Sequence, residues 1–147
     1  MLITRQTDYA IRCAVLLAQA PSRLLSAATI AETMDIPRPF VSKILQKLTR
    51  ARLTRATRGA AGGFSLARDP AAVSLYDVVV AIQGAPTTNE CAVDARRCSR
   101  SRGCTVHPVW VRLRHMVEEQ LQQTSLTALT TPPADPATRS PRPRRKG

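Results

Sequence analysis

At 147 residues and 16.0 kDa, the chain is long enough for one compact domain with a real core, or for a small domain plus an appendage. Its 22 basic and 10 acidic residues give a formal charge of +12, which favours a polyanionic partner, nucleic acid above all. The charge is uneven: residues 1–70 carry 11 basic and 4 acidic side chains (+7), residues 71–130 carry 6 and 5 (+1), and residues 131–147 carry 5 and 1 (+4).

The first element is an amphipathic helix over residues 7–20, where Ile11, Ala14, Val15 and Ala18 repeat at i, i+3, i+4 and i+7. Arg5, Asp8 and Arg12 interrupt its apolar stretch, which is therefore neither a membrane span nor a signal peptide, and the protein is expected to be cytoplasmic. Cys13, in this helix, reads as a small buried hydrophobe. Ser26 then reads as the N-cap of a second helix, with Ile30, Ala31 and Met34 on one face. A short turn at 36–38 leads to a third helix from about Pro39, since a proline in the first helical position gives up no hydrogen bond. Val41, Ile44, Leu45 and Leu48 form its core stripe, and Phe40 packs at its edge. Arg38, Ser42, Lys43, Gln46, Lys47 and Arg50 fall outside the stripe.

Two short helices joined by a tight turn, the second basic on its free face, make a helix-turn-helix. Residues 53–56 and 64–66 follow as two short strands around a tip holding Arg58, Gly59, Gly62 and Gly63. Such a basic hairpin completes a winged helix. Its glycines allow close backbone approach to DNA, and Arg58 suits a narrow minor groove. For base reading we assign Ser42 and Lys43 first, then Arg38 and Gln46; Lys47, Arg50 and Arg55 are left to phosphates or solvent.

Ser74 and Asp77 form a capping box for a helix carrying Leu75, Val78, Val79 and Ile82, which Gly84 stops. Residues 85–106 have little apolar periodicity and read as a loop that needs something to order it. Pro108 opens a long helix with Trp110, Leu113, Val117 and Leu121 on one face and Val109 and Met116 beside it, a candidate dimer interface. Residues 131–147 are proline-rich, basic and expected to be disordered.

The loop holds the chemistry. Cys91, Cys98, Cys104 and His107 fall within seventeen residues, and they include three of the four cysteines. In a reducing compartment this soft donor set reads as metal-binding or redox-active rather than as a disulfide framework, and spacing alone allows zinc or an iron-sulfur cluster. Pro108 in the first helical position places His107 near the N-cap and Cys104 just ahead, where the positive end of the helix favours thiolate. Arg96, Arg97, Arg100 and Arg102 surround the thiols and can offset negative charge there.

In order along the chain, residues 2–12, the wing from Arg58 to Leu66, the helix start from Ser74 to Val79 and the Cys/Cys/Cys/His segment resemble the Rrf-two family of bacterial transcription regulators, of the IscR, NsrR and RirA types. The resemblance covers about residues 1–130. It implies a homodimeric winged-helix regulator of palindromic double-stranded DNA, with repression the favoured sign. It also implies that an iron-sulfur cluster controls operator binding in response to redox state, nitric oxide or iron supply. Carried over by residue, Cys91, Cys98 and Cys104 are the cluster cysteines. His107 matches the IscR-type fourth ligand to a 2Fe-2S cluster, and Asp8 matches the NsrR-type fourth ligand to a 4Fe-4S cluster, given by the partner subunit. We favour 2Fe-2S over 4Fe-4S. The Cys91–Cys98 spacing is one residue longer than in the best-known members, which loop-closure entropy barely registers.

The expected architecture is thus mainly α. A winged helix-turn-helix with a small β wing (1–84) is followed by a cysteine-bearing cluster-binding loop (85–106), a long C-terminal dimerisation helix with its following segment (107–130) and a disordered tail (131–147). A zinc- or thiol-switch regulator is the alternative, and an iron-sulfur electron carrier a weaker one. No nucleophile–base pair or phosphate-cradling loop supports an enzyme.

Overall fold

The structure, a computed structural model, describes residues 3–131. All but the first residue of the tail expected to be disordered therefore lies outside the described residues. The fold is mainly helical with one small antiparallel sheet. Helix α1 (Arg5–Gln19) begins two residues before its periodicity does, because the Thr4 hydroxyl accepts the Thr7 amide and closes the first turn. Ala10, Cys13, Ala14 and Leu17 are buried along it. Helix α2 (Ala27–Met34) is capped by Ser26 as expected. It ends at Asp35, whose left-handed backbone (φ 52°) turns the chain so that Ile36 enters the core.

Helix α3 (Arg38–Arg50) starts at Arg38, one residue before the expected start. Pro39 therefore occupies the second helical position, where its missing N–H is equally free of an intrahelical partner. The stripe Val41, Ile44, Leu45 and Leu48 is fully buried against α1 and α2. Strands β1 (Thr54–Thr57) and β2 (Gly63–Leu66) pair antiparallel, Thr54 facing Leu66 and Thr57 facing Gly63. Phe64 also exchanges backbone hydrogen bonds with Leu25, at 2.8 and 3.0 Å, and so ties the wing to the α1–α2 connection.

Helix α4 (Leu75–Gln83) carries the capping box: the Asp77 amide donates to the Ser74 hydroxyl, and the Ser74 amide donates back to the Asp77 carboxylate. It packs on α1 and α3, and its end at Gly84 uses a positive φ of 88°. The following segment is more ordered than its sequence suggests. A short helix α5 (Glu90–Val93) buries Cys91 and Ala92 and packs on the long helix α6 (His107–Gln123). Single 3-10 turns at Ala95–Arg97 and Ser101–Gly103 carry the chain between them. Local capping bonds and the buried Pro86 supply this order from within the chain.

Helix α6 differs from its expected form in two respects. It starts at His107, so Pro108 stands second and His107 is itself helical. Its apolar residues form two stripes rather than one: Trp110, Val117 and Leu121 are half-buried, while Val109, Leu113 and Met116 are exposed. After Gln123 the chain leaves the helix and returns to its own winged helix. Leu126 is fully buried, and its amide donates to the Val73 carbonyl at 2.9 Å.

Candidate functional site

The free face of α3 is built by subtraction. With Val41, Ile44, Leu45 and Leu48 turned into the core, the helical period leaves Arg38, Ser42, Lys43 and Gln46 on one exposed side. These four side chains have no hydrogen-bond or ion-pair partner among the described residues. Arg58 and Gly59 are exposed at the wing tip, and Gly59 has a positive φ of 112°. Gly62 and Gly63 serve the fold first. A side chain at Gly62 would run into the Thr57 carbonyl, and one at Gly63 into the Leu25 backbone, so both are needed to close the hairpin and seat it. Phe40 packs edge-on against Tyr9 at 6.0 Å yet stays 45% exposed.

Lys47, read from sequence as a phosphate or solvent residue, is a structural tie. Its ammonium donates to Gln6 Oε1 at 3.0 Å and to the Ile82 carbonyl at 3.5 Å. Beside it, the Gln83 side-chain oxygen accepts from the Thr7 hydroxyl at 2.6 Å and from the Thr4 amide at 3.1 Å. These bonds join the start of α1, helix α3 and the end of α4, immediately before the cysteine segment. Sequence reasoning missed the node, although one signal was present: Thr7 lies on the stripe of Ala10 and Ala14, and a hydroxyl on a core face requires a partner.

The cysteine segment keeps its donors as free thiols: Cys91 is buried, and Cys98 and Cys104 are half-buried. The Cys104 carbonyl accepts the His107 amide at 3.2 Å, so these two residues share one turn at the head of α6. His107 Nδ1 is buried and has no hydrogen-bond partner among the described residues. Soft thiols and an imidazole nitrogen left without a partner fit a metal or cluster as a donor set. The described residues of a single chain contain no group of three or more His, Cys, Asp or Glu side chains placed to hold a metal ion, so a ligand would have to draw them together. Asp8 stands apart from them, its carboxylate bound by Arg12 at 2.6 Å in a surface cavity lined by Ile3, Arg5, Tyr9 and Asp35. Within one chain it meets no cysteine there. Arg96 is drawn to Asp94 at 3.1 Å and holds that carboxyl below its usual range, so this arginine is already partnered. Cys13 is fully buried in α1, and burial pushes its thiol up to about 12, as suits a packing residue.

Among the described residues, no helix is long and apolar enough to cross a membrane.

Compared with known families, residues 3–132 match Rrf2, described as an iron-dependent transcriptional regulator. An HTH-type transcriptional regulator of Azotobacter vinelandii, ORF2, is 31% identical over 130 residues, covering 88% of this chain and 79% of that protein. Among solved structures, CymR of B. subtilis, described as its global cysteine regulator, superposes with a TM-score of 0.71 at 25% identity, covering 88% of this chain and 96% of the other. IscR of T. potens superposes with a TM-score of 0.71 at 22% identity, covering 88% and 85%, a likeness of fold.

Proposed function

The chain belongs to the Rrf2 family of transcriptional regulators, DNA-binding proteins and not enzymes, and we propose that its operator binding is controlled by an iron-sulfur cluster on Cys91, Cys98, Cys104 and His107. The observation that carries this reading is His107 Nδ1, buried and unpartnered one turn from Cys104, in the segment joining the winged helix to α6. A bound cluster supplies a redox- and nitric-oxide-sensitive group whose loss frees its ligands. The chain does the rest. Helix α5 holds Cys91 against α6, and the α3 face of Arg38, Ser42, Lys43 and Gln46 enters the major groove while Arg58 enters the minor groove. The exposed stripe of Val109, Leu113 and Met116 pairs with a second copy. A palindromic operator then presents half-sites about 34 Å apart, one helical turn. A change in the ligand segment need couple to that geometry by only about 1–3 kcal/mol to alter affinity roughly 5–150-fold. In such a dimer, Asp8 of the second copy is the alternative fourth ligand.

The likeness to CymR, a cysteine regulator, is as good as that to IscR and supports a second reading, a thiol switch. Anaerobic purification followed by absorbance, Mössbauer spectroscopy and metal analysis separates the two. A brown protein whose spectrum changes in His107→Ala but not in Asp8→Ala is expected. A colourless protein, reconstituted or not, refutes the cluster, and an unchanged spectrum in His107→Ala removes the histidine.

A further inference from the structure

Phe40 has no part in that reading, although it stands in the first turn of α3, the helix assigned there to the major groove. A single exposed apolar side chain is ordinary on a protein surface, so its exposure alone assigns nothing. Its place and its bracing do. A helix that enters the major groove meets base edges with its N-terminal residues. Phe40 is the third residue of α3 and stands three before Lys43, so the two side chains are neighbours on the helix surface. It therefore sits at the edge of the polar face formed by Arg38, Ser42, Lys43 and Gln46.

The ring is braced from α1. It meets the Tyr9 ring edge-on, with centroids 6.0 Å apart and planes at 76°. The Arg12 guanidinium lies 5.8 Å from the Tyr9 centroid and is bound to the Asp8 carboxylate at 2.6 Å. One side of the Phe40 ring is thus held by a buttress anchored on its own helix, and 45% of the residue stays open. A ring fixed in this way gives up little rotamer freedom when a partner covers it.

Chemistry decides what it can read. A phenyl ring offers no hydrogen bond to a phosphate or to a polar base edge. The apolar group that the major groove presents is the C5 methyl of thymine. We propose that Phe40 is a specificity-determining residue that packs on one thymine methyl in each half-site, beside the base pair that Lys43 contacts. It adds an apolar reader to the polar ones and selects thymine over cytosine, which carries no methyl at that position. The inference rests on the reading of α3 as the groove-entering helix.

Burying one methyl group is worth about fourfold in affinity, and about 15-fold over two half-sites. An operator is first selected from random-sequence duplexes with the wild-type protein. Each thymine of the half-site is then replaced in turn, symmetrically, by deoxyuridine, which lacks only the methyl. Wild type, Phe40→Ala and Phe40→Gln are titrated on every duplex by fluorescence anisotropy. One position is expected to weaken wild type by about 15-fold and to leave both variants unchanged. Each comparison sets two duplexes against one protein, so a variant's stability cancels, and the wild-type scan stands whether or not a variant folds. A wild-type scan without a methyl-sensitive thymine overturns the proposal, as does a sensitivity that survives in either variant. If the wild type selects no duplex, or Lys43→Ala binds the selected one normally, the reading of α3 fails with it. If Lys43→Ala binds weakly and the methyls have no effect, only the role of Phe40 fails.

Discussion

Lys43→Ala and Lys47→Met distinguish the free face of α3 from its packed flank. Both lysines belong to one helix, four residues apart, and their surroundings differ. Lys43 is exposed without a partner among the described residues, and alanine is an excellent helix former, so its loss should leave stability within about 0.5 kcal/mol. If it reads a base edge, that interaction is worth about 1–3 kcal/mol, and the substitution removes it twice from a symmetric dimer. Operator affinity should then fall by at least roughly 30-fold, with specificity relaxed at one base pair of each half-site. Lys47 donates to Gln6 and to the Ile82 carbonyl in a half-buried position. Its replacement strands two acceptors and should cost about 1–2 kcal/mol of stability, with little direct effect on DNA. Denaturant unfolding and fluorescence anisotropy over a salt series measure both quantities. Lys47→Met abolishing binding at full stability, with Lys43→Ala binding normally, would refute the assignment of the α3 face.

Four further outcomes follow from local chemistry. Ser74→Ala removes one half of the α4 capping box and should lower stability by about 1 kcal/mol, a fall in Tm of about 4 °C by calorimetry. In the metal-free native protein, Cys98 and Cys104 should react readily with a thiol reagent, Cys91 slowly and Cys13 only on unfolding. Because the folded pKa of Cys13 is raised from 9.0 to about 12, the thiol ionises first in the unfolded chain, so its contribution is complete below pH 9 and is lost between pH 9 and 12. Cys13→Ala should flatten that alkaline loss, and an unchanged slope would count against the burial. Leu113→Arg with Met116→Glu places charge on the exposed stripe of α6 and should convert a dimer to a folded monomer by analytical ultracentrifugation. A dimer that persists would place the interface elsewhere.

The winged helix was legible because its signals are local. Ser26, Ser74 with Asp77, the α3 stripe and the glycine hairpin each specify a neighbour within a few residues, and the structure has all four. What escaped depends on contacts distant in sequence. The split of α6 into a half-buried and an exposed stripe is set by where α4 and α5 lie, which periodicity does not encode. The order of residues 85–106 was hidden because α5 is a single turn, too short to show a repeat. Lys47 looked like a surface cation because its partners, Gln6 and Ile82, lie 41 and 35 residues away in sequence. The proposed ligand segment shows in the sequence as three thiols and an imidazole close together, and its geometry does not, since among the described residues these side chains are not gathered into one group.

The most direct test of cluster control is the operator affinity of one anaerobic preparation, measured before and after the iron is removed by chelation, beside Cys98→Ala. The account predicts that removal changes wild-type affinity by about 5–150-fold, and that Cys98→Ala is fixed at the iron-free value whatever the treatment. Equal wild-type affinities before and after removal, or a treatment effect that survives in Cys98→Ala, would contradict it.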